Sequence, residues 1–297
     1  MMDCLCKATA EDVRVYAAVT TELTREAANR HSCGVLATAA LGRVMTGALL
    51  MAANLKNREC LTVKFQGDGP LGQIVADASA DGAVRGYVTH PEVELPLTNG
   101  KLSVGQGVGR GLLSITRFTG LKEPVTGTCE IFSGEIAEDL TRYLFQSEQT
   151  PSSVGLGVLV GRAGKTEAAG GFIIQTLPEA SEETLSRLEQ TIATLRPVSA
   201  MVKDGLSASE MISEILRGFS DVHILSETEL AFRCQCSRSR TEEILSTLRD
   251  EELAQLVEDG HAEVCCDFCG EKYHFTKEEL LTIRQKARRG ALWNCAE

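Results

Sequence analysis

Cys234-Gln235-Cys236-Ser237 and Val264-Cys265-Cys266-Asp267-Phe268-Cys269-Gly270, with 29 residues between Cys236 and Cys266, decide how this chain is read. Two close thiol pairs joined by a foldable spacer supply the four ligands of one tetrahedral zinc ion, here Cys234, Cys236, Cys266 and Cys269. Gly270 stands where the tight turn of a zinc knuckle needs a permissive residue. A closed four-thiolate shell leaves no position for a substrate water, so the expected role is structural or redox rather than catalytic. Four thiolates around Zn²⁺ carry a net charge of about −2, which Arg233, Arg238 and Lys272 are placed in sequence to offset. Cys265, His261 and His274 stand nearby as alternative ligands.

Working outward, residues 231–297 read as a small C-terminal unit. Helices are expected over 241–248 and 250–258, and a hairpin over Glu263 to Phe275. Thr276 and Glu279 form a capping box that opens a last helix with Leu280, Leu281 and Ile283 inward. Arg284, Lys286, Arg288 and Arg289 then complement the helix dipole at its C-terminal end. So short a segment has a thin core. Structural zinc contributes about 10–16 kcal/mol to the folding of comparable modules, so the metal is expected to hold the unit together. Sulfur held as thiolate is also the form that oxidants attack. Oxidation would remove the ligands and withdraw that energy. A bridge across Cys-x-Cys closes a small strained ring that is readily reduced again, which suits a reversible switch.

Residues 179–230 read as a helical linker. Leu185, Leu188, Ile192 and Leu195 follow helical spacing behind Glu182 and Glu183, and Pro197 ends the run. Ser207 and Glu210 form a second capping box before Met211, Ile212, Ile215 and Leu216, and Gly218 closes that helix.

Residues 1–178 read as a mixed α/β core, and the whole chain as α+β, because strands come in runs with helices between the blocks. Val13, Val15, Ala17 and Val19 alternate as on a half-buried strand. A helix is expected from Thr20 or Thr21 to Arg30, and an apolar one over Gly34 to Asn54. Strands are expected near 61–65, 71–78, 83–89, 111–118, 126–133, 154–160 and 169–176, with a helix over Ala137 to Gln146. Gly105-Gln106-Gly107-Val108-Gly109-Arg110-Gly111 fits neither nucleotide-binding pattern and is read as turns or glycine-bearing strand. Cys4-x-Cys6 is read as mobile terminal thiols, and Cys33, Cys60 and Cys129 as small buried hydrophobes. His31 and His90 are read as surface or capping histidines.

A net charge of −11 and a single Trp argue against nucleic acid and anionic membrane as partners. Cys33 to Ala53 is apolar, but Arg43 and many small residues make it a buried core helix rather than a span. The N-terminus lacks the basic start and apolar stretch of a secretory signal, so a cytoplasmic location is expected. There eleven cysteines point to metal or redox chemistry rather than disulfide stapling. No catalytic constellation is visible, so the chain is not expected to be an enzyme. The alternative reading is an α/β enzyme carrying a structural zinc module.

The run Cys234-Gln235-Cys236-Ser237, its spacing, and the stretch Val264 to Phe275 resemble the redox domain of the heat-shock protein 33 family. The likeness extends along the whole chain, through core, linker and zinc unit. The resemblance implies a redox-regulated, ATP-independent holdase chaperone, holding one zinc ion per chain when reduced and inactive. It implies that oxidants, with heat or unfolding conditions, form the disulfides Cys234–Cys236 and Cys266–Cys269. Zinc then leaves, the C-terminal unit unfolds, the linker is destabilised, and unfolding client proteins bind. Activated members form homodimers. Cys265 departs from the expected pattern and leaves the partner of Cys269 open. The linker face from Leu185 to Leu216 is the sequence's best candidate for client-binding surface.

Overall fold

The computed structural model describes residues 2–56, 58–120, 123–161, 164–178 and 180–294, with side chains through Arg288. Its backbone divides into two compact units, Met1–Arg233 and Cys234–Glu297.

The first unit opens with β1 (Cys4–Ala10) and β2 (Val13–Val19), an antiparallel pair whose turn holds Glu11 at a positive φ of 47°. Then come α1 (Thr21–Arg30) and α2 (Val35–Ala52). The strands β3 (Cys60–Gly67), β4 (Gln73–Ser79) and β5 (Ala83–Val88) form an antiparallel meander. After the short α3 (Val104–Val108), β6 (Gly111–Phe118) returns beside β3, and β7 (Val125–Glu130) pairs with β6. Next come α4 (Ala137–Glu148) and the hairpin β8 (Ser152–Val160) and β9 (Thr166–Thr176), with β9 laid on β2. Three helices follow: α5 (Glu182–Thr194), α6 (Val198–Lys203) and α7 (Ala208–Ile215). The chain then returns as β10 (His223–Glu229) on β1 and β11 (Ala231–Phe232) parallel to β5. Two sheets result, ordered β10-β1-β2-β9-β8 and β11-β5-β4-β3-β6-β7. The mixed α+β architecture expected from the sequence is the one observed.

α2 lies between the sheets, packing on β3, β4 and β5 of one and on β2, β8 and β9 of the other. A helix buried on all sides needs apolar residues all round, and 89% of this one is buried. It is long and apolar enough to cross a membrane, and in this fold it is the central core helix. Its small residues set the spacing. A Cβ on Gly42 would lie 2.6 Å from Thr24 Cγ2, and one on Gly47 would lie 2.5 Å from Leu140 Cδ1. The other face of the first sheet is covered by α5–α7. Met201, Met211, Ile212, Ile215 and Leu216 are buried there against Ala8, Val13, Val15 and Ala17. Each such side chain contributes about 1.5–3 kcal/mol on burial, so the apolar face of this segment is a substantial part of the core.

Several expectations change. Cys4 and Cys6 are not mobile: both lie in β1, which is paired on both sides, and Cys6 is fully buried. Cys33, Cys60 and Cys129 are half-buried rather than core residues. Leu185 does not follow Leu188 inward; it is 40% exposed. α1 begins after Thr20, but Thr20 does not cap it with its side chain. The cap comes from Asp3, whose carboxylate accepts Glu22 N–H at 3.1 Å and Leu23 N–H at 2.7 Å. The glycine run 105–111 is a closely packed corner. Gly69 N–H donates to the Val108 carbonyl and Leu71 N–H to that of Gly107, and a Cβ on Gly69 would meet the Gly107 carbonyl at 2.4 Å. The second capping box is present: Ser207 N–H donates to Glu210 Oε2 at 2.8 Å, and Glu210 N–H to Ser207 Oγ at 3.3 Å.

The second unit consists of α8 (Arg238–Ser246), α9 (Asp250–Asp259), the hairpin β12 (His261–Cys265) and β13 (Lys272–Thr276), and α10 (Lys277–Asn294). Its buried core is Leu245, Leu253, Val257, Ala262, Phe275, Leu280 and Ile283. Leu281, expected inward, is 39% exposed. The box at Thr276 and Glu279 forms, with Thr276 N–H donating to Glu279 Oε2 at 2.8 Å. Two members of the basic cluster serve another helix instead of their own terminus, and the side chain of Arg289 lies outside the described residues. Arg284 and Arg288 both grip Asp250 in the first turn of α9, each through Nε and Nη2 at 2.6–2.8 Å.

Candidate metal centre

Three local features bring the thiols together. Cys234 and Cys236 lie on the extended stretch before α8, which Ser237 starts by accepting Arg240 N–H. Cys266 and Cys269 lie in the turn between β12 and β13. There Cys269 N–H and Gly270 N–H both donate to the Cys266 carbonyl, at 3.2 and 2.8 Å. Gly270 takes a φ of 71°, and Cys266 N–H closes the turn on the Glu271 carbonyl at 2.9 Å. This is the knuckle the glycine was expected to permit.

The four sulfur atoms lie within 4.8 Å of one another. Cys234 Sγ is 3.8 Å from Cys266 Sγ, and Cys236 Sγ is 3.3 Å from Cys269 Sγ. A tetrahedron of metal–sulfur bonds near 2.3 Å has an edge of about 3.8 Å, so the cluster is the size of a four-thiolate shell. A disulfide needs about 2.05 Å, and none of these four sulfurs is in one.

Burial works against charge on two of the four sulfurs. Burial pushes the Cys269 thiol well above its ordinary pKa, against a hydrogen bond from Glu271 N–H. Burial raises Cys266 too, opposed by Phe268 N–H and by Cys269. Both shifts favour the neutral thiol, so whatever holds these sulfurs as thiolates must bring positive charge into the cage. The side chains expected to do so are engaged elsewhere. Arg238 pairs with Glu279 at 2.7 Å and lies over the Phe275 ring. Lys272 pairs with Glu263 at 2.8 Å, and Arg233 with Asp81 at 2.9 Å.

The alternative ligands fall outside the cluster. Cys265 is exposed, paired across the hairpin with Lys272. His261 Nδ1 is 3.3 Å from the Asp259 carbonyl, and His274 Nδ1 is 3.4 Å from Glu263. Sequence reasoning missed Tyr273. Its hydroxyl donates to Cys236 Sγ at 3.2 Å from β13, opposite Val264. Only the hairpin register could have revealed it.

The sequence model of the family described as Hsp33 protein matches residues 3–276. The 33 kDa chaperonin of Desulforamulus reducens is 48% identical over 96% of this chain and 98% of its own length. That of Bacillus subtilis is 46% identical over 97% of this chain and its full length. The crystal structure of the 33 kDa chaperonin of Thermotoga maritima superposes with a TM-score of 0.90 at 33% identity, covering 96% of this chain and 99% of that one.

Proposed function

The chain belongs to the Hsp33 family, that of the 33 kDa chaperonins, and from that premise we propose that it is a redox-regulated, ATP-independent holdase acting in the cytoplasm. The observation that carries the redox part is the thiol cage: four sulfurs within 4.8 Å of one another in a unit whose buried core, among the described residues, is seven side chains. We assign Cys234, Cys236, Cys266 and Cys269 as ligands of one Zn²⁺. When bound, the ion cross-links the stretch before α8 to the knuckle and keeps the four sulfurs deprotonated.

The chain's own residues do the rest. An oxidant such as hydrogen peroxide takes two electrons from Cys234 and Cys236, which join as one disulfide, while the peroxide is reduced to water. A second equivalent joins Cys266 and Cys269. Each bridge removes two of the four thiolates that would hold the ion, and with them the cross-link that would support the thin core. Only Arg233 separates Cys234 from β11, which follows β10 and the α5–α7 segment in the chain. Loss of order at Cys234 therefore starts beside β11, with β10 and β11 between it and the segment whose apolar face covers the first sheet. In the reduced state Met211, Ile212, Ile215 and Leu216 are buried there, as a holdase requires of surface it must hide when idle. Unfolding proteins are the partners proposed for that surface once released, with a homodimer as the active form. The assignment of 1–178 as core, 179–230 as linker and 231–297 as switch follows the same logic.

The test is to oxidise reduced, zinc-loaded protein with peroxide at raised temperature. Zinc release is followed with a chromophoric chelator, and aggregation of a thermally unfolding protein by light scattering. Release of one zinc per chain together with new suppression of aggregation supports the proposal. Zinc retention, or release without suppression, contradicts it.

A further inference from the structure

We infer that the outer edge of β8 is a strand-addition site for an extended segment of an unfolding polypeptide, an inference that rests on the holdase reading and gives it a location. β8 is the last strand of its sheet and has no strand on its outer side among the described residues. Val154 turns its N–H outward, to Thr141 Oγ1 of α4 at 3.2 Å. In an antiparallel pair the inward and outward backbone groups alternate, so Leu156 and Val158 also turn N–H and C=O outward. They open on a cleft of about 1210 Å³ lined by Leu156, Val158 and Val160 on one side and by Leu97, Lys101 and Glu135 among the residues opposite.

Two observations say what belongs in that cleft. Protein edges are ordinarily blunted by charge or proline, yet Ser152–Val160 (SSVGLGVLV) has neither. The opposite edge of the same sheet, β10, carries Glu227 and Glu229. On the cleft lining, Arg43 gives Nη1 to Glu135 at 2.8 Å. Gly42 brings α2 so close that a Cβ there would lie 3.0 Å from Val158 Cγ2. Finally, Arg43 and Lys101 balance Glu135 and Glu138 around the cleft, so it does not share the repulsion of a chain with net charge −11. Pairing through main-chain groups is indifferent to side-chain sequence, as binding to many unfolded chains requires. The site is coupled to the switch through α6: a Cβ on Gly157 would lie 2.6 Å from Ser199 N. Departure of α6 therefore bares the face of β8 that adjoins the open edge.

The experiment uses the full-length oxidised chain and reduced, carboxymethylated α-lactalbumin, a permanently unfolded polypeptide. Hydrogen exchange is followed by mass spectrometry with and without it, and affinity by fluorescence anisotropy. Slowed exchange over 154–160 on binding is expected. Val158→Pro removes one outward N–H and blocks the approaching strand, and is expected to weaken binding by about tenfold or more, with melting and peroxide-driven zinc release as in the wild type. Binding that leaves 154–160 unprotected overturns the inference but not the holdase reading, as does a well-folded Val158→Pro chain that binds at wild-type affinity. Protection that needs no added polypeptide and grows with chain concentration assigns the edge to a second copy and overturns it too. Failure of the oxidised wild type to bind at all overturns this inference and the holdase reading together. Should Val158→Pro not melt like the wild type, exchange on the unaltered chain decides.

Discussion

Arg187 Nη1 lies 3.3 Å from Glu11 Oε1, an ion pair that joins α5 to the β1–β2 turn across 176 residues. The same carboxylate oxygen accepts Ser220 N–H at 3.1 Å and Ser220 Oγ–H at 2.9 Å, just beyond α7. Arg187 also donates to the Gly218 carbonyl at 3.2 Å and lies over the Phe219 ring. One turn residue thus fastens both ends of the helical segment that covers the first sheet. Glu11→Ala should loosen that segment while leaving the thiol cage intact. The expected result is several-fold faster tryptic cleavage within 182–217, and activation at lower peroxide, with zinc content unchanged. Cleavage at the wild-type rate would remove Glu11 from this role.

The clamp should depend on pH with a definite sign. Ser220 N–H, then Ser220 Oγ–H and Arg187, hold the Glu11 carboxyl below its ordinary range. A lowered folded-state value stabilises the segment above the ordinary carboxylate pKa, and that contribution is lost as pH falls through the lowered value. Protection factors of amides in 182–216, followed from about pH 6 to pH 3, should fall at the acid end in wild type. In Glu11→Gln this drop should be smaller, starting from a lower neutral-pH value. An acid-side drop identical in both chains would show that Glu11 is not its source.

Tyr273 gives the cage a hydrogen bond that the ligands themselves do not explain. Removing an outer partner of a metal ligand typically costs about 10–100-fold in affinity. Tyr273→Phe should weaken zinc binding by that order in competition with a chelator, and quicken oxidation by exposing Cys236. Equal affinity and equal oxidation rate would reduce the 3.2 Å contact to packing.

Cys265 is exposed and outside the sulfur cluster. Cys265→Ser should therefore bind one zinc per chain as tightly as the wild type. It should also yield a simpler set of disulfides after peroxide, seen by mass spectrometry of peptide digests. Loss of zinc from Cys265→Ser would place Cys265 in the ligand set.

The parts of this structure legible in the sequence are those with local causes. The thiol spacing, the glycine of the knuckle, the boxes at Ser207 and Thr276, and the all-round apolar character of Val35–Ala52 act within a few residues. What escaped was long-range. β1 (CLCKATA) holds two thiols, a lysine and no run of β-branched residues, and becomes a strand because β2 and β10 flank it. β10 pairs with a partner more than 200 residues earlier, so its exposed Ile224 and Leu225 gave no alternation to read. Asp3 caps α1 from another element. Arg284 and Arg288 resemble dipole partners in sequence, but a single aspartate one helix away claims both.

The central claim is that the metal held by four sulfurs keeps the second unit folded, and that its loss is passed to the helical segment of the first. Hydrogen exchange of the full chain, reduced and zinc-loaded and then after peroxide, reads both steps at once. The account predicts that residues 238–288 lose protection in step with zinc, that 182–216 follow, and that the strands β2, β3 and β6 stay protected. Zinc release that leaves 238–288 protected, or that never reaches 182–216, contradicts it.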